Sequence, residues 1–568
     1  MADDRAGVRG AARPGEGAHV IRIGNASGFY GDRLSAMHEM LTGGELDVLT
    51  GDYLAELTML ILGRQRLNDP ASGYARTFLR QLEGTLAIAV ERGVRIVTNA
   101  GGLNPSGLAA AIRELAARMD IPLAVAHVEG DDLLPRADAL TANAYLGGWG
   151  IAECLRAGAD IVVTGRVTDA SLVVGPAAAH FGWTPEDHDA LAGATVAGHV
   201  IECGTQATGG NFAFFTELDV THPGFPIAEV HVDGSAVITK HPGTGGAVTR
   251  ETVLAQLLYE IQGPDYLGPD VTTRFDTITL TEDGPDRVRI SGVRGGPPPE
   301  TVKVCVNTLA GFRNSATFVL CGLNIEAKAD LARRQLENTI GPDGLTWTLA
   351  RTDHSDAPTE ETASAFLHAT IKTPDPTRAK AFARATVELA LASYPGFTLT
   401  APPADGTPIG FYRPEFVPRD TVNHVAVLAD GTRRAIPWAP ASPVLARTIE
   451  VSTSIDFGPT KRVPLGSVIG ARSGDKGGDA NLGVWVRDPA AYGWLCAELT
   501  IARLRELLPE TEGLVIERHP FPNLNALNFI LHNLLDDGAA TTIRFDPQAK
   551  ALAEWLRSRH ADVPESFL

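Results

Sequence analysis

Short apolar runs alternate with longer Ala-, Leu- and Arg-rich stretches over the first third of the chain, and each run ends in glycine or small polar residues. Continuous apolar runs are typical of buried parallel strands, because helices cover both faces of their sheet. The alternation therefore predicts βαβ units. The predicted strands are 20–24, 46–50, 94–98, 122–127 and 160–164, and the predicted helices lie within 31–41, 74–92, 105–119 and 145–157.

The pattern changes at about residue 207, where the apolar runs shorten and Gly, Pro and Asp turns separate them. This change predicts a second, more β-rich half that shares a core with the first. Helices are expected at 250–260 and 379–393, and a strand is expected at 363–372. The remaining predicted strands are 212–219, 227–231, 236–240, 277–280, 287–292 and 302–307.

A Pro- and Gly-rich segment, 402–464, precedes a compact final unit. In that unit the pattern predicts strands at 464–471, 482–486, 513–518 and 527–531 and helices at 489–508 and 547–558. We predict an α/β fold: a large N-terminal α/β domain with a mainly parallel sheet and a more β-rich second half, then a small C-terminal α+β domain. The predicted parts are a disordered leader (1–18), the α/β domain (19–400), a linker or strap (401–462) and the C-terminal domain (463–568).

Composition narrows the class of protein. The net charge is −19 over 568 residues with the acids dispersed, which excludes a dense basic face for nucleic acid. Five cysteines lie scattered without a CxxC pair, so neither a disulfide framework nor a zinc knuckle is expected. The leader lacks the apolar core of a signal peptide, and no apolar run is long enough to cross a bilayer. We expect a cytoplasmic enzyme without a membrane partner, and a homo-oligomer on general grounds.

Polar residues follow the predicted parallel strands, at the edge where open α/β sheets bind ligands. Asn25 and Ser27 follow the first strand, Asp52 the second and Asn99 the third, and we predict that all four bind substrate. The alternative is that such residues only form turns and cap helices.

Arg166 and Asp169 follow the fifth predicted strand. Arg166 could bind a substrate carboxylate through two parallel hydrogen bonds, and Asp169 could act as a catalytic base or a metal ligand. An internal Arg–Asp pair with a helix cap is the structural alternative.

The stretch 199–211 is dense in reactive side chains. Cys203 is a candidate nucleophile if a neighbouring group lowers its pKa, and His199 would be its partner only if both lie on a helix. Gln206 and Asn211 are candidate substrate-binding residues nearby. The alternative is an inert core cysteine.

Two further segments combine charges with glycines. Lys240 and His241 begin a Gly-rich turn before a helix and resemble an anion-binding turn, with a plain loop as the alternative. In 471–481 we predict Asp475 and Lys476 as catalytic residues on a loop that closes over a ligand; a solvated hairpin turn between two strands is the alternative. The substrate-binding candidates of that segment are Gly477, Gly478, Asp479 and Asn481.

No cofactor is required by the sequence. It contains no GxxxxGK[ST] motif and no GxGxxG after the first strand, so NAD and ATP are not supported. A divalent metal is compatible with the oxygen and nitrogen ligands available, but no close-spaced motif demands one. The compatible residues are Asp169, Asp475, Asp479 and His241.

Several motifs in order resemble the acyclic terpene utilisation (AtuA) family. They are GNASGFYGD (24–32), NAGGLNP (99–105), TGRVTDAS (164–171), ECG (202–204), QATGGN (206–211) and KHPG (240–243). The tail, with SGDKGGDAN (473–481), resembles the small ferredoxin-fold domain that accompanies this family.

The resemblance implies the breakdown of citronellol- and geraniol-type acids as coenzyme A thioesters, a pathway in which a carboxylase, a hydratase and a lyase act on branched intermediates. It therefore favours an enzyme acting on a carboxylated or thioester acyl substrate by hydratase or lyase chemistry. The alternatives are a hydrolase or acyltransferase that uses Cys203, and a non-catalytic partner of acyl-CoA enzymes.

Overall fold

Strands and helices alternate over the first 200 residues of a computed structural model, which describes residues 20–136, 138–443 and 457–568. The predicted leader lies outside the described residues. All five predicted strands of this part are present, and so are helices within the four predicted stretches. The strands are β1 (Val20–Asn25), β2 (Val48–Gly51), β3 (Arg95–Thr98), β4 (Val125–Glu129), β5 (Thr141–Ala144) and β6 (Ile161–Thr164). The helices are α1 (Ala36–Gly43), α2 (Glu56–Asn68), α3 (Arg76–Glu83), α4 (Leu86–Arg92), α5 (Pro105–Arg118), α6 (Trp149–Arg156), α7 (Ser171–Phe181) and α8 (His188–Ile201).

Strands dominate the middle of the chain, as the shorter apolar runs predict. The strands are β7 (Pro226–His231), β8 (Ala236–Lys240), β9 (Asp265–Leu267), β10 (Thr272–Arg274), β11 (Thr279–Glu282), β12 (Val288–Ser291), β13 (Arg294–Gly296), β14 (Thr301–Cys321), β15 (Leu345–Ala350), β16 (Ser364–Thr373), β17 (Thr398–Leu399), β18 (Thr407–Pro418), β19 (Val425–Val427) and β20 (Arg433–Ala435). The helices are α9 (Arg250–Leu257), α10 (Ile325–Ile340) and α11 (Pro376–Glu388).

The largest sheet has eleven strands in the order β11–β12–β8–β7–β1–β2–β3–β6–β4–β19–β20. Its five central strands, β1, β2, β3, β6 and β4, run parallel, while the strands on either side are antiparallel. The carboxyl ends of β2, β3 and β6 therefore meet at one edge of the sheet. The predicted α/β fold class is confirmed.

A second sheet is organised by β14, which is much longer than the predicted strand 302–307. Its first half pairs with β5 and β18, and its second half with β16 and β17. Because β5 comes from the α/β half, this pairing joins the two halves of the large domain. It also brings residues of β14 close to the carboxyl edge of the parallel strands.

Two segments differ from their predicted structure. The described part of the predicted linker or strap contains β18, β19 and β20, which pair with β14, β4 and each other; a Pro- and Gly-rich composition is compatible with such edge strands. The predicted strand 212–219 is wrong, because the chain forms a 3₁₀ turn at Phe215–Glu217 there. Its aromatic residues pack against the C-terminal domain instead of a neighbouring strand.

The C-terminal domain follows the predicted order of strands and helices. Its antiparallel sheet has the order β22–β23–β25–β24. The helix predicted at 489–508 is divided in two. The strands are β21 (Thr460–Pro464), β22 (Ile469–Lys476), β23 (Asp479–Val486), β24 (Ile516–Phe521), β25 (Ala526–Leu531) and β26 (His560–Pro564), and the helices are α12 (Tyr492–Glu498), α13 (Ile501–Leu507) and α14 (Leu552–Ser558).

The small domain has an apolar core of its own, and a few of its residues also extend the core of the large domain. Trp485 on β23 is fully buried and belongs to the same cluster as Phe521, Leu524 and Ala526 and the core of the large domain. Its ring lies parallel to that of Phe212 with centroids 6.5 Å apart. The two domains are thus packed against each other through apolar side chains. No helix among the described residues is long and apolar enough to span a membrane.

We expect Trp485→Ala to lower the temperature of the first unfolding transition, because truncating a fully buried tryptophan costs roughly 3–5 kcal/mol. Differential scanning calorimetry measures the effect. The matched control is Phe416→Ala, since Phe416 is 65% exposed and its truncation should leave the transition nearly unchanged. Equal shifts for both variants would contradict the shared core.

Candidate active site

The carboxyl edge of the parallel strands holds a network of buried polar side chains. Asp52 follows β2 and is 5% exposed, and Asn99 follows β3. The Asn99 amide nitrogen donates to Asp52 Oδ1 over 2.6 Å, and its oxygen accepts from Tyr53 N over 2.7 Å. Asp52 Oδ1 also accepts from Leu54 N. The loops after two neighbouring strands are therefore tied together at this edge, as their sequence predicts.

Arg166 follows the end of β6, and its side chain is only 3% exposed. Its Nη1 donates to Leu54 O over 3.0 Å and to Asp169 Oδ1 over 3.1 Å. Its guanidinium carbon lies 4.3 Å from the centre of the Tyr145 ring. The backbone nitrogen of Arg166 donates to Asp131 Oδ2. The internal Arg–Asp pair is thus present, and it fixes the guanidinium at the carboxyl edge.

Asp169 is the carboxylate around which the neighbouring ionisable groups are arranged. Its side chain is 25% exposed, so the network opens to solvent there. Burial, together with the charge of Asp169, raises the pKa of Asp52 well above its ordinary value. The same two causes raise the pKa of Glu202, whose side chain is 5% exposed. Two carboxyl groups that favour the protonated form therefore lie near Asp169, which is itself ion-paired with Arg166.

Lys303, on β14, adds a cation from the second sheet. Its Nζ lies 3.6 Å from Glu56 Oε1 and 4.9 Å from the centre of the Tyr145 ring. Burial alone would raise the pKa of Glu56, but Lys303 and Arg166 hold that pKa well below its ordinary value. Tyr145 donates its hydroxyl to the same Glu56 oxygen over 2.8 Å. Glu56 is therefore an ionised partner for this lysine.

Lys476 reaches the network from the C-terminal domain. The predicted loop over 474–479 is instead the end of the β22–β23 hairpin, in which Lys476 pairs with Asp479 around a Gly477-Gly478 turn. The hairpin alternative is therefore correct, but this lysine is not left to solvent. Burial alone would lower its pKa, yet Glu260, Glu56 and Asp169 raise it above its ordinary value. Both domains thus contribute charges to one site.

Asp475 lies on the opposite face of the hairpin from Lys476, because neighbouring residues of a strand point to opposite sides. Its Oδ1 accepts from Gln548 Nε2 over 3.5 Å. Burial, with repulsion from Glu260 and Glu56, raises its pKa to about 7. Asp475 therefore points away from Lys476 but lies near the same two carboxyl groups, Glu260 and Glu56.

The surroundings of Cys203 oppose its role as a nucleophile. Burial, with the carboxyl groups of Glu202 and Glu260 nearby, raises the pKa of its thiol well above the ordinary value, whereas a reactive thiol needs a lowered pKa. His199 Nδ1 lies 3.2 Å from Glu202 Oε1, and burial and Lys476 lower the pKa of this histidine to about 4. His199 is thus a neutral partner of Glu202 at the end of α8.

Three of the predicted substrate-binding residues make hydrogen bonds that hold neighbouring parts of the chain beside this site. Asn25 Nδ2 donates to the carbonyl oxygens of Ile201 and Glu202, which holds the end of α8 against β1. Gln206 accepts from Arg472 of the C-terminal domain. Asn481 Oδ1 accepts from the backbone nitrogen of Glu260. These amides orient the backbone and neighbouring side chains.

Other predicted residues lie outside the network. Lys240 donates to Thr244 O over 2.8 Å and lies 3.1 Å from Asp286, so its charge is neutralised internally and the predicted anion-binding turn is not formed by it. His241 Nε2 lies 2.9 Å from Met40 O. Asn211 is exposed. The turn residues pack or hydrogen-bond locally: Ser27 Oγ donates to Phe29 O, Gly477 packs on Tyr412, Gly478 lies against Asp536 O, and Asp479 contacts His532.

Several members of the network could not be identified from the sequence. They lie on strands and helices that only the tertiary structure brings to this edge of the sheet. Lys303 occurs in an ordinary alternating strand, and Glu56 begins a helix that the pattern did not indicate. Glu202 and Arg472 lie within the stretches 199–211 and 471–481, which the sequence analysis describes as candidate sites. Their charged side chains, next to candidate residues, could have identified them. The missed ionisable residues are Glu56, Glu202, Glu260, Lys303 and Arg472.

The described residues of the candidate site do not form a cluster of metal-binding side chains. Within residues 20–136, 138–443 and 457–568, no set of three or more His, Cys, Asp or Glu side chains is arranged to hold a metal ion. Asp169 faces Arg166, Asp479 faces His532, and His241 faces a backbone carbonyl.

Comparison with protein families identifies both parts of the chain. Residues 21–428 match the model described as acyclic terpene utilisation family protein AtuA, and residues 463–562 match the AtuA ferredoxin-like domain. The first match contains Asp52, Arg166 and Lys303, and the second contains Lys476. No curated protein and no solved structure matches the chain. The resemblance seen in the sequence is confirmed.

The opposite pKa shifts of Asp52 and Glu56 predict opposite effects of pH on two amide variants. Since the pKa of Asp52 is raised in the folded state, its ionisation weakens folding as pH rises above about 4. Asp52→Asn keeps the oxygen atom that accepts both hydrogen bonds, from Asn99 Nδ2 and Leu54 N, and should therefore gain stability, relative to wild type, as pH rises from about 4 to 7.

Glu56→Gln should behave in the opposite way. The lowered pKa of Glu56 stabilises the fold above about pH 4, so its loss should cost about 2 kcal/mol at pH 7 and progressively less in acid. Urea unfolding of wild type and both variants at several pH values checks the pair. Parallel pH curves for all three proteins would contradict the assigned charges.

Proposed function

The chain belongs to the acyclic terpene utilisation family, and from that premise we propose that it is an enzyme of branched acyl or terpenoid-type acid metabolism. The substrate class is a carboxylated acyl compound or a coenzyme A thioester, and the chemistry is that of a lyase or hydratase. One observation carries the proposal: partly exposed Asp169 lies among cations and beside carboxyl groups of raised pKa. Carboxyl groups whose pKa is raised by burial and a neighbouring charge are candidates for the acid role in catalysis.

Proton removal from a carbon next to a carbonyl needs a base and positive charge near the developing enolate oxygen. Asp169 supplies the base in this proposal, because its side chain is partly exposed and lies near the two carboxyl groups of raised pKa, whereas Glu56 is bound to Lys303 and Tyr145. Lys476 stabilises the enolate or a substrate carboxylate, and Arg166 holds Asp169 in place. A protonated Glu202 returns a proton to the substrate carbon or to a departing hydroxide.

Accessibility supports the same site. About a quarter of each of three side chains is exposed to solvent: 26% of Glu56, 25% of Asp169 and 26% of Lys303. The neighbouring carboxyl groups of Asp52 and Glu202 are buried. A small acyl group with a carbonyl or carboxylate can therefore approach the network from that side.

The two alternatives are less well supported. A Cys203-dependent hydrolase or acyltransferase requires a thiolate, and the raised pKa of that thiol opposes one. A non-catalytic partner of acyl-CoA enzymes needs no buried network of ionisable groups, and such groups are costly to bury unless they serve a function.

We expect ligands of the proposed class to stabilise the purified protein in a thermal-shift screen of branched acyl-CoA thioesters and free branched dicarboxylates. A ligand at 100 times its dissociation constant adds about 2.7 kcal/mol to the stability of the folded state. The shift should be smaller for Lys476→Met and unchanged for Lys461→Met, whose lysine is exposed on β21. No shift with either ligand class would contradict the proposal.

For a substrate found in this way, we expect Asp169→Asn to lower kcat by roughly 10²–10⁴, the usual contribution of a general base. The matched control is Asp562→Asn, since the Asp562 side chain is 63% exposed on β26. Steady-state turnover, followed by loss or gain of substrate unsaturation, checks both. Full activity of Asp169→Asn would remove Asp169 from the mechanism.

Cys203→Ser should retain activity, because the proposed scheme does not use the thiol. The hydrolase alternative predicts the reverse: loss of turnover, and an acyl adduct on Cys203 visible by intact-protein mass spectrometry in the wild type. Detection of that adduct would replace the proposal by its alternative.

A further inference from the structure

Asp479 belongs to the motif that the sequence singled out, yet the proposed function leaves it without a role. It lies directly across the β22–β23 hairpin from Lys476. Its Oδ2 is 2.9 Å from His532 Nδ1, and its Oδ1 accepts from the backbone nitrogen of Asn533 over 2.9 Å. The carboxylate is therefore bound to the segment that follows β25 rather than directed at the buried network.

His532 joins that contact to a second carboxylate. Its Nε2 lies 2.9 Å from Glu517 Oε1 on β24, so the imidazole bridges Asp479 and Glu517. His519 Nε2 lies 3.1 Å from the other Glu517 oxygen. One histidine thus connects the first residue of β23, the strand β24 and the turn after β25.

The same turn determines where the tip of the hairpin lies. Gly478 O accepts from Leu535 N over 2.9 Å, and a Cβ atom at Gly478 would collide with Asp536 O. On the other side, Gly477 packs on the ring of Tyr412 in β18. The hairpin end is therefore held between the turn 532–536 and the large domain, with Lys476 next to it.

We propose that His532 is a positioning residue: by bridging Asp479 and Glu517 it holds the hairpin end and thereby keeps the Lys476 ammonium group in the buried network. The effect of this bridge on turnover rests on the proposed function, in which Lys476 binds the substrate. Its effect on the hairpin does not depend on any substrate.

The charge of His532 makes the bridge sensitive to pH. Burial opposes protonation of the ring, but Glu517 and Asp479 outweigh it and raise the pKa of His532 above its ordinary value. The charged or titratable groups that face the ring are Asp479 and Glu517, and His519 lies beyond Glu517. Because the folded-state pKa is raised, the bridge is complete below about pH 6.5 and is lost as pH rises through the folded-state pKa.

Hydrogen–deuterium exchange of the full-length protein tests the bridge without a substrate. We expect His532→Gln to increase exchange, corrected for intrinsic rates, in peptides that contain Gly477, Gly478 and Asn533, with no change in the helices of the large domain. In wild type the same peptides should lose protection as pH rises above about 6.5, and in the variant they should not. His519→Gln is the matched control and should behave as wild type. Equal protection in wild type and His532→Gln would overturn the proposal.

Kinetics test the consequence for Lys476. For a substrate identified as above, we expect His532→Gln to lower kcat by between about tenfold and a hundredfold, the cost of misplacing a group by about 1 Å. Glu517→Gln, which keeps an acceptor oxygen for His532, should retain more activity than Glu517→Ala. Unchanged kcat in His532→Gln would overturn the positioning role even if exchange increased. If no substrate is turned over at all, the proposed function fails while the exchange experiment still decides whether His532 holds the hairpin.

Discussion

The arrangement of charge around Asp169 is the constraint on which the rest of the site depends. Asp169, at the edge of a buried network, disfavours ionisation of Asp52 and Glu202, and it is ion-paired with Arg166 and lies near Lys476. The neutral state of His199 and the high pKa of the Cys203 thiol follow from the same burial. The chemistry open to the site is therefore proton transfer more than nucleophilic attack by sulfur.

Both domains contribute residues to this network. The large domain provides the carboxylates at the ends of its parallel strands and a lysine from β14, while the small domain provides Lys476 at the end of a hairpin. Trp485 and its apolar neighbours bury the contact between the domains. Gln206 and Arg472 join the two domains beside the network. The ferredoxin-like domain thus contributes a lysine to the candidate site.

The strand ends could be predicted from the sequence because local patterns determine them: Asp52, Asn99 and Arg166 each follow an apolar run that forms a parallel strand. Residues that reach the site through pairing between distant strands could not be predicted in this way. Lys303 reaches the site because β14 pairs with β5, and nothing near it in the sequence indicates that contact. Lys240 shows the converse, since its turn resembles an anion site but the pairing of β8 with β12 places Asp286 beside it. The domain boundaries and the roles of the site residues stay predictions.

The most direct measurement of the central claim is the protonation state of the buried carboxyl groups. Infrared difference spectra of wild type against Asp52→Asn and against Glu202→Gln at neutral pH separate the carbonyl stretch of a protonated carboxyl from the bands of a carboxylate. We expect wild type to show a protonated-carboxyl band that is weaker in each variant. Difference spectra in which only carboxylate bands disappear would show that both groups are ionised, and would contradict the account.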